Sequence, residues 1–364
     1  MISFQPTDEQ EVVREAMHEF AETAMRPLAR DCDEASKIPE EFLAKAWDLG
    51  LVGTQVPEAF GGAGEARSPV TNAIVLEELA WGDASLALAA IAPAGFAFAV
   101  ADQGSDEQKR ELLPPFGGES YRAGALALAE PGPTFDPRAP QTRAEAKARG
   151  YRLSGTKCLV PMGDRASHFL VSAAGERGTE LFVVPRDAAG LTIQQPEKNL
   201  GLRALPTATL RLDGVEVAAA DRLGGAAGSD PQRAIDRARV ALAALMTGLS
   251  RAVLDYAVPY AKERVSFGKP IAQKQAIAFR LAEMHIEIES MRWLCWKAAS
   301  RLEQGQVATR DAHLARDYAA RQAMWIADHG VQVLGGHGFI REHPVEMWYR
   351  NARTLGVLEG AVSV

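Results

Sequence analysis

A change of texture, made twice, restricts this chain more than any other feature. From about Tyr121 to Gly228, short strand-like runs alternate with turn signals. Phe169–Ser172, Glu180–Val184 and Thr209–Val215 are such runs, and together they predict an antiparallel β domain of about 100 residues. The flanking segments carry the wider apolar spacing of helices. Upstream, Thr7-Asp8-Glu9-Gln10 has the form of a capping box and opens a helix expected to run through Leu28. Pro39 to Trp47 keeps helical spacing, with Gly50 as a stop, and Glu58 to Gly64 reads as a loop. Val70 to Ala101 is an apolar helical stretch that Gly82-Asp83 and Pro93 are expected to interrupt. Downstream, Asp230-Pro231 opens a long helix to about Glu263, and two more are predicted over 273–303 and 309–334.

Helices, then strands, then helices predict an α+β multidomain fold. Its parts are a helical domain over 1–120, a middle β domain over 121–228 and a C-terminal helical bundle over 229–364. This order lacks the βαβ alternation of a doubly wound dinucleotide fold. The glycine-rich Gly335-Gly336-His337-Gly338 follows a helix, not a strand, so it is not that fold's fingerprint.

The 364 residues, 47% of them hydrophobic and 24% charged, suffice for a large core. Net charge is −7 with both signs mixed and no basic block, which argues against nucleic acid as a partner. The N-terminus has no basic start followed by an apolar run, and no apolar run is expected to approach the ~20 residues of a membrane span. The expectation is a cytoplasmic protein. Its cysteines, Cys32, Cys158 and Cys295, are odd in number and scattered, so neither a disulfide framework nor a metal site is predicted.

The last seven residues, Leu358-Glu359-Gly360-Ala361-Val362-Ser363-Val364, hold one carboxylate among small and apolar neighbours. Left to itself, such a glutamate belongs in water. Desolvated in an apolar pocket, it could act as a base near neutral pH. The residues alone leave both open.

Four stretches, taken together, bring a family into view. They are Glu130-Pro131-Gly132; Glu263-Arg264-Val265-Ser266-Phe267-Gly268-Lys269-Pro270; Val331-Gln332 through Gly335-Gly336-His337-Gly338-Phe339; and Pro344-Val345-Glu346 through Arg350, Arg353 and Glu359-Gly360. In this order and spacing the chain resembles the FAD-dependent acyl-CoA dehydrogenases over nearly its whole length. The resemblance implies an N-terminal helical domain, a barrel-like β domain and a C-terminal four-helix bundle, assembled as a homotetramer or dimer. It implies a role in fatty-acid metabolism, an acyl-CoA substrate and an electron-transfer flavoprotein as acceptor. Glu359 matches the catalytic base, which removes an α-proton from the thioester while the β-hydrogen leaves as hydride to the flavin. Some relatives place the base on a bundle helix, where this chain has Ala238. Gly360, Asp236, Arg239 and Phe135 match substrate-pocket positions; Arg239 could hold the Glu359 carboxylate, or pair with Asp236 one helical turn away. FAD contacts are implied for Leu128, Ala129, Thr134, Leu159, Pro161 and Ala361 around the ring. Arg264, Ser266 and Phe267 match the pyrophosphate site. Gln275, Gln332, Gly335 and Gly336 match the adenine side, reaching across to a neighbouring subunit.

Departures from the family pattern gather at the ring. Ala129 and Pro161 stand where threonines are usual, Leu159 where a tryptophan is usual, and Ala361 replaces a further threonine. Phe135 is bulky where a small residue is common. Hydroxyl donors to the flavin are therefore expected to be lost. Two other outcomes are compatible with this: an oxidase or reductase on the same fold, or a subunit that binds no flavin and supports a partner chain. Relatives also add a helix beyond the equivalent of Val364, so Glu359 is expected beside a frayed end.

Overall fold

The computed structural model describes residues 5–364. The capping box forms as expected, with the Thr7 hydroxyl accepting from the Gln10 N–H and the Gln10 side chain accepting from the Thr7 N–H. It opens α1 (Asp8–Phe20), which does not stop at Leu28. It runs through one π-helical turn, Ala21–Met25, into α2 (Arg26–Ala35). Pro27 falls in the first turn of α2, where a missing N–H costs least. Next come α3 (Glu40–Trp47), α4 (Pro69–Gly82), α5 (Ala84–Gln103) and α6 (Asp106–Leu112).

Asp83 breaks the apolar stretch as expected: its backbone is extended and its carboxylate caps α5 through the Leu86 N–H, 2.9 Å away. Pro93 does not break it. A helix proline leaves the carbonyl four residues earlier without a donor, and here the Tyr121 hydroxyl donates to that Ala89 oxygen at 2.8 Å. α5 also corrects the expectation about apolar runs. It is 20 residues long and apolar enough to cross a membrane, as is part of a later helix, but 94% of its apolar window is buried inside this protein. It is a core helix, covered by protein on all sides.

The middle region holds β1 (Gly124–Ala127), β2 (Arg143–Lys147), β3 (Gly150–Pro161), β4 (His168–Gly175), β5 (Gly178–Pro185), β6 (Leu191–Ile193) and β7 (Thr207–Ala218). They form one sheet in the order β1-β4-β2-β3-β7-β6, with β5 paired to β4. Most pairings are antiparallel; β1 and β2 meet β4 in parallel. Between Lys157 and Val160, β3 carries one residue more than β7 opposite, a bulge that sets Leu159 at φ +52°.

The C-terminal part comprises α7 (Pro231–Glu263), a small hairpin of β8 (Val265–Ser266) and β9 (Lys269–Pro270), α8 (Gln275–Glu303), α9 (Thr309–Leu334) and α10 (Val345–Leu355). α7, α8 and α9 pack on one another, and α7 also lies against α4. There Gly248 is required, since a Cβ would stand 2.0 Å from the Glu77 carbonyl oxygen. α10 joins all three parts. Arg350 forks onto Asp33 of α2, while Asn351 and Thr354 accept the N–H groups of Leu202 and Gly201 from the β region. Residue 201 must be glycine, because a Cβ would meet the Arg350 oxygen at 2.0 Å. Whatever follows α10 is therefore delivered to a fixed place.

Candidate active site

The chain leaves α10 at Gly356 and turns through Val357 and Leu358 to Glu359. One nitrogen of Arg316, Nη2 on α9, donates to the carbonyls of both Gly356 and Leu358, each at 2.9 Å. Glu359 then points inward: only 10% of its side chain is exposed. Its carboxylate meets Arg239 of α7, with Nε 3.0 Å from Oε1 and Nη2 3.5 Å from Oε2. Gly360 sits at φ +69° against Leu128, whose side chain would lie within 2.7 Å of any Cβ added there. Both the conformation and the close approach demand glycine. Ala361 and Val362 pass over Gly95 of α5, and residues 361–364 are buried, with the Val364 oxygen accepting from Arg237 at 2.8 Å. The expected fraying is absent because this segment has a groove to fill.

Asp236 does not pair with Arg239. Its oxygens accept from Gln232 and Thr309, each at 2.7 Å, and burial raises its pKa. Ala238 is fully buried and aprotic. Phe135 is half-buried and Thr134 exposed. The adjoining Asp136 has a lowered pKa, chiefly from Arg138, with a small electrostatic contribution from Arg239.

On the β side, Leu128 and Ala129 are buried, and the Ala129 carbonyl accepts from the Cys158 N–H at 3.0 Å. This ties the β1 exit to the β3 bulge, where Leu159 is half-buried and Pro161 buried. Beneath them lies an ion pair that sequence reasoning missed. Lys157, fully buried, donates to Glu130 at 2.8 Å and to Ser172 at 2.9 Å. Glu130 also accepts the N–H groups of Gln141 and Thr142. Burial pushes the Lys157 ammonium down to about 8. Burial opposes ionisation of Glu130 too, but Lys157 and Thr142 outweigh it and hold that carboxyl below its usual range. The pair pins the 130–142 loop to the sheet. A signal existed in the sequence: Lys157 falls in phase with Leu153 on the inward face of an alternating strand. Arg316, also missed, left none; it is one of several arginines on α9.

A second group of predicted residues lies elsewhere. Arg264, Phe267, Gln275, Gln332, Gly335 and Gly336 are exposed and Ser266 is half-exposed. Gln332 to Gly336 approach the end of α7, where the Tyr260 hydroxyl reaches the Leu334 carbonyl, one turn before Arg264. Phe267, at a hairpin tip with φ +53°, is 94% exposed. The side chains of Arg264, Ser266, Gln275 and Gln332 make no hydrogen bond or ion pair among the described residues. A Cβ on Gly335 or Gly336 would meet nothing within 4 Å. Idle polar donors, a guanidinium, an open glycine corner and a bare aromatic ring fit a ligand that is both anionic and aromatic, as FAD is.

Sequence profiles of the acyl-CoA dehydrogenase N-terminal, middle and C-terminal domains match residues 7–119, 125–215 and 229–364. The chain belongs to the acyl-CoA dehydrogenase family, a family of FAD-dependent oxidoreductases. It is 33% identical to the probable acyl-CoA dehydrogenase YngJ of Bacillus subtilis (strain 168), over all of this chain (100%) and 97% of that one. It is 31% identical to the 3-(aryl)acrylate reductase of Clostridium sporogenes (strain ATCC 15579), over 98% of this chain and 96% of that one. The solved butyryl-CoA dehydrogenase of Megasphaera elsdenii superposes with a TM-score of 0.88 at 31% identity, covering 98% of this chain and 95% of that one.

Proposed function

We propose that this protein oxidises an acyl-CoA thioester to the trans-2-enoyl-CoA, with Glu359 as the base. The observation that carries this is a single inward-facing carboxylate oriented by Arg239 and followed by a glycine that admits close approach. In this reading Glu359 takes the α-proton, and Arg239 holds the carboxylate in the direction of attack. Gly360 and Leu128 shape the floor, and the tail over α5 excludes water. Bound FAD supplies the acceptor for the β-hydride. Leu128, Ala129, Thr134, Leu159, Pro161 and Ala361 would face its ring, and Phe135, Asp236 and Gly360 would border the substrate. With Ala129, Pro161 and Ala361 offering no hydroxyl, backbone N–H groups would do the hydrogen bonding there.

Arg264, Ser266, Phe267, Gln275, Gln332, Gly335 and Gly336 would grip the phosphate and adenosine end. Their exposure is what a cofactor shared with a second copy of the chain requires, and we propose a homo-oligomer, a dimer or tetramer. Phe339 and the α8 residues Phe279, Ile286 and Trp293 are large exposed hydrophobics that support a covered face. A short acyl group, a role in fatty-acid metabolism and an electron-transfer flavoprotein as electron acceptor belong to this proposal; the likeness to short-chain and butyryl-CoA dehydrogenases and to a structure of an electron-transferring flavoprotein supports it. Three unpaired cysteines accord with a cytoplasmic location.

The test is an anaerobic screen of acyl-CoAs, from butyryl-CoA upward, for bleaching of the bound flavin. Bleaching is expected in the wild type; a Glu359→Gln variant that bleaches as fast would remove Glu359 from the mechanism. A second reading, a reductase acting on an enoyl group, is favoured by the likeness to the 3-(aryl)acrylate reductase together with the hydroxyl-poor ring site. It predicts that chemically reduced enzyme is reoxidised by an enoyl substrate faster than an acyl-CoA reduces it.

A further inference from the structure

We propose that Arg316 is a positioning residue for the base: it fixes the peptide plane from which Glu359 projects. This rests on the reading of Glu359 as base. The last carbonyls of a helix have no partner within it, and the usual remedy is a left-handed glycine just past the end. α10 ends in a glycine that does not take that form: Gly356 stays right-handed at φ −63°. Its carbonyl and that of Leu358 are satisfied instead by one arginine nitrogen from another helix. A cation at a helix C-terminus is also favoured by the helix dipole.

The choice of carbonyls matters. The Leu358 oxygen belongs to the same rigid peptide unit as the Glu359 N–H. Holding that oxygen sets the direction of the N–H, which has no hydrogen-bond partner among the described residues. It also fixes the position of the Glu359 Cα, which lies in the same plane and from which the side chain projects. Arg239 then holds the carboxylate end. The base is thus anchored twice, by its backbone from α9 and by its side chain from α7. The Arg316 arrangement is not built for stability alone. Its Nε is buried with no partner among the described residues, while Nη2 serves both carbonyls. Ala320, one turn along α9, faces this turn: a Cβ added at Gly356 would stand 3.8 Å from its methyl.

The experiment compares Arg316→Met and Arg316→Lys with the wild-type holoenzyme. Flavin content and anaerobic flavin reduction by butyryl-CoA, or by the best acyl-CoA of the screen, are measured alongside amide hydrogen exchange of residues 356–361. Arg316→Met is expected to keep its flavin and its KM, to slow reduction by at least about tenfold, and to speed exchange in 356–361 by about tenfold or more. Arg316→Lys keeps the charge and one donor, and is expected to recover part of both. Unchanged exchange in Arg316→Met would show that no clamp exists. Faster exchange with an undiminished reduction rate would show that the clamp does not serve the base; either result overturns the proposal while leaving the dehydrogenase reading intact. A wild type that no acyl-CoA bleaches would refute the dehydrogenase reading itself, and the role of Arg316 with it.

Discussion

Two groups of candidate functional residues sit in this molecule under opposite conditions. Around Glu359 the partners all come from the chain itself: Arg239 on the carboxylate, Arg316 on the backbone, Leu128 under Gly360, and a buried 361–364 segment. Around Arg264 the donors are exposed and idle, beside a bare Phe267. The first group is complete in one polypeptide. In the second, the side chains of Arg264, Ser266, Gln275 and Gln332 make no hydrogen bond or ion pair among the described residues. The proposed acid–base step would therefore be preorganised by folding, whereas the cofactor grip would be finished only by FAD and a second subunit.

The largest expected effect tests the complete group. Glu359→Gln should slow flavin reduction by about 10³-fold or more, the scale of a lost general base, with flavin content unchanged in the absorbance spectrum. A Gln variant that loses its flavin would mean the two groups are not separable. Next, Arg264→Ala should weaken FAD binding about 10- to 100-fold in a fluorescence titration, the scale of a charge-assisted hydrogen bond to phosphate, with the apo-protein's melting temperature unmoved. Flavin content of the wild type should also fall on dilution, as subunits part. Arg239→Met, which keeps the length and removes the charge, should retain FAD and slow reduction about tenfold. If it instead abolished FAD binding, the division drawn here would fail.

The last effect concerns the scaffold beneath the complete group and is read in stability, not in rate. Burial pushes the Asp83 carboxyl up to about 6 from its ordinary 3.8. The native state then holds that proton more tightly than the unfolded chain, so the stabilisation is full below the lower value and fades as pH rises through the higher one. At neutral pH the ionised Asp83 costs up to about 3 kcal/mol. Asp83→Asn, which still caps α5, should raise the urea midpoint at pH 7.5 and leave it nearly unchanged at pH 4. The reverse order of effects would show that Asp83 is stabilised by its neighbours rather than strained by burial.

Much of this was legible from residues alone. The α7 and α9 boundaries, the α1 capping box and the main strands follow from local spacing and cap chemistry, which act over a few residues. The same reasoning erred where distant groups intervene. Pro93 was expected to break α5, but the helix continues through it, with the Tyr121 hydroxyl on the carbonyl the proline leaves free. Of the two partners left open for Arg239, it holds Glu359 and not Asp236, whose oxygens are taken by Gln232 and Thr309.

Sequence by itself determined the division into helical, β and helical parts, the family, and Glu359 as the acid worth watching, because motif spacing and periodicity are written along the chain. Only the tertiary structure decided that Glu359 faces inward, which arginine holds which end of it, and that the candidate cofactor residues look outward. Those outcomes depend on which elements pack together: Arg316 and Leu358 are 42 residues apart and meet only because α10 is wedged among all three parts of the molecule.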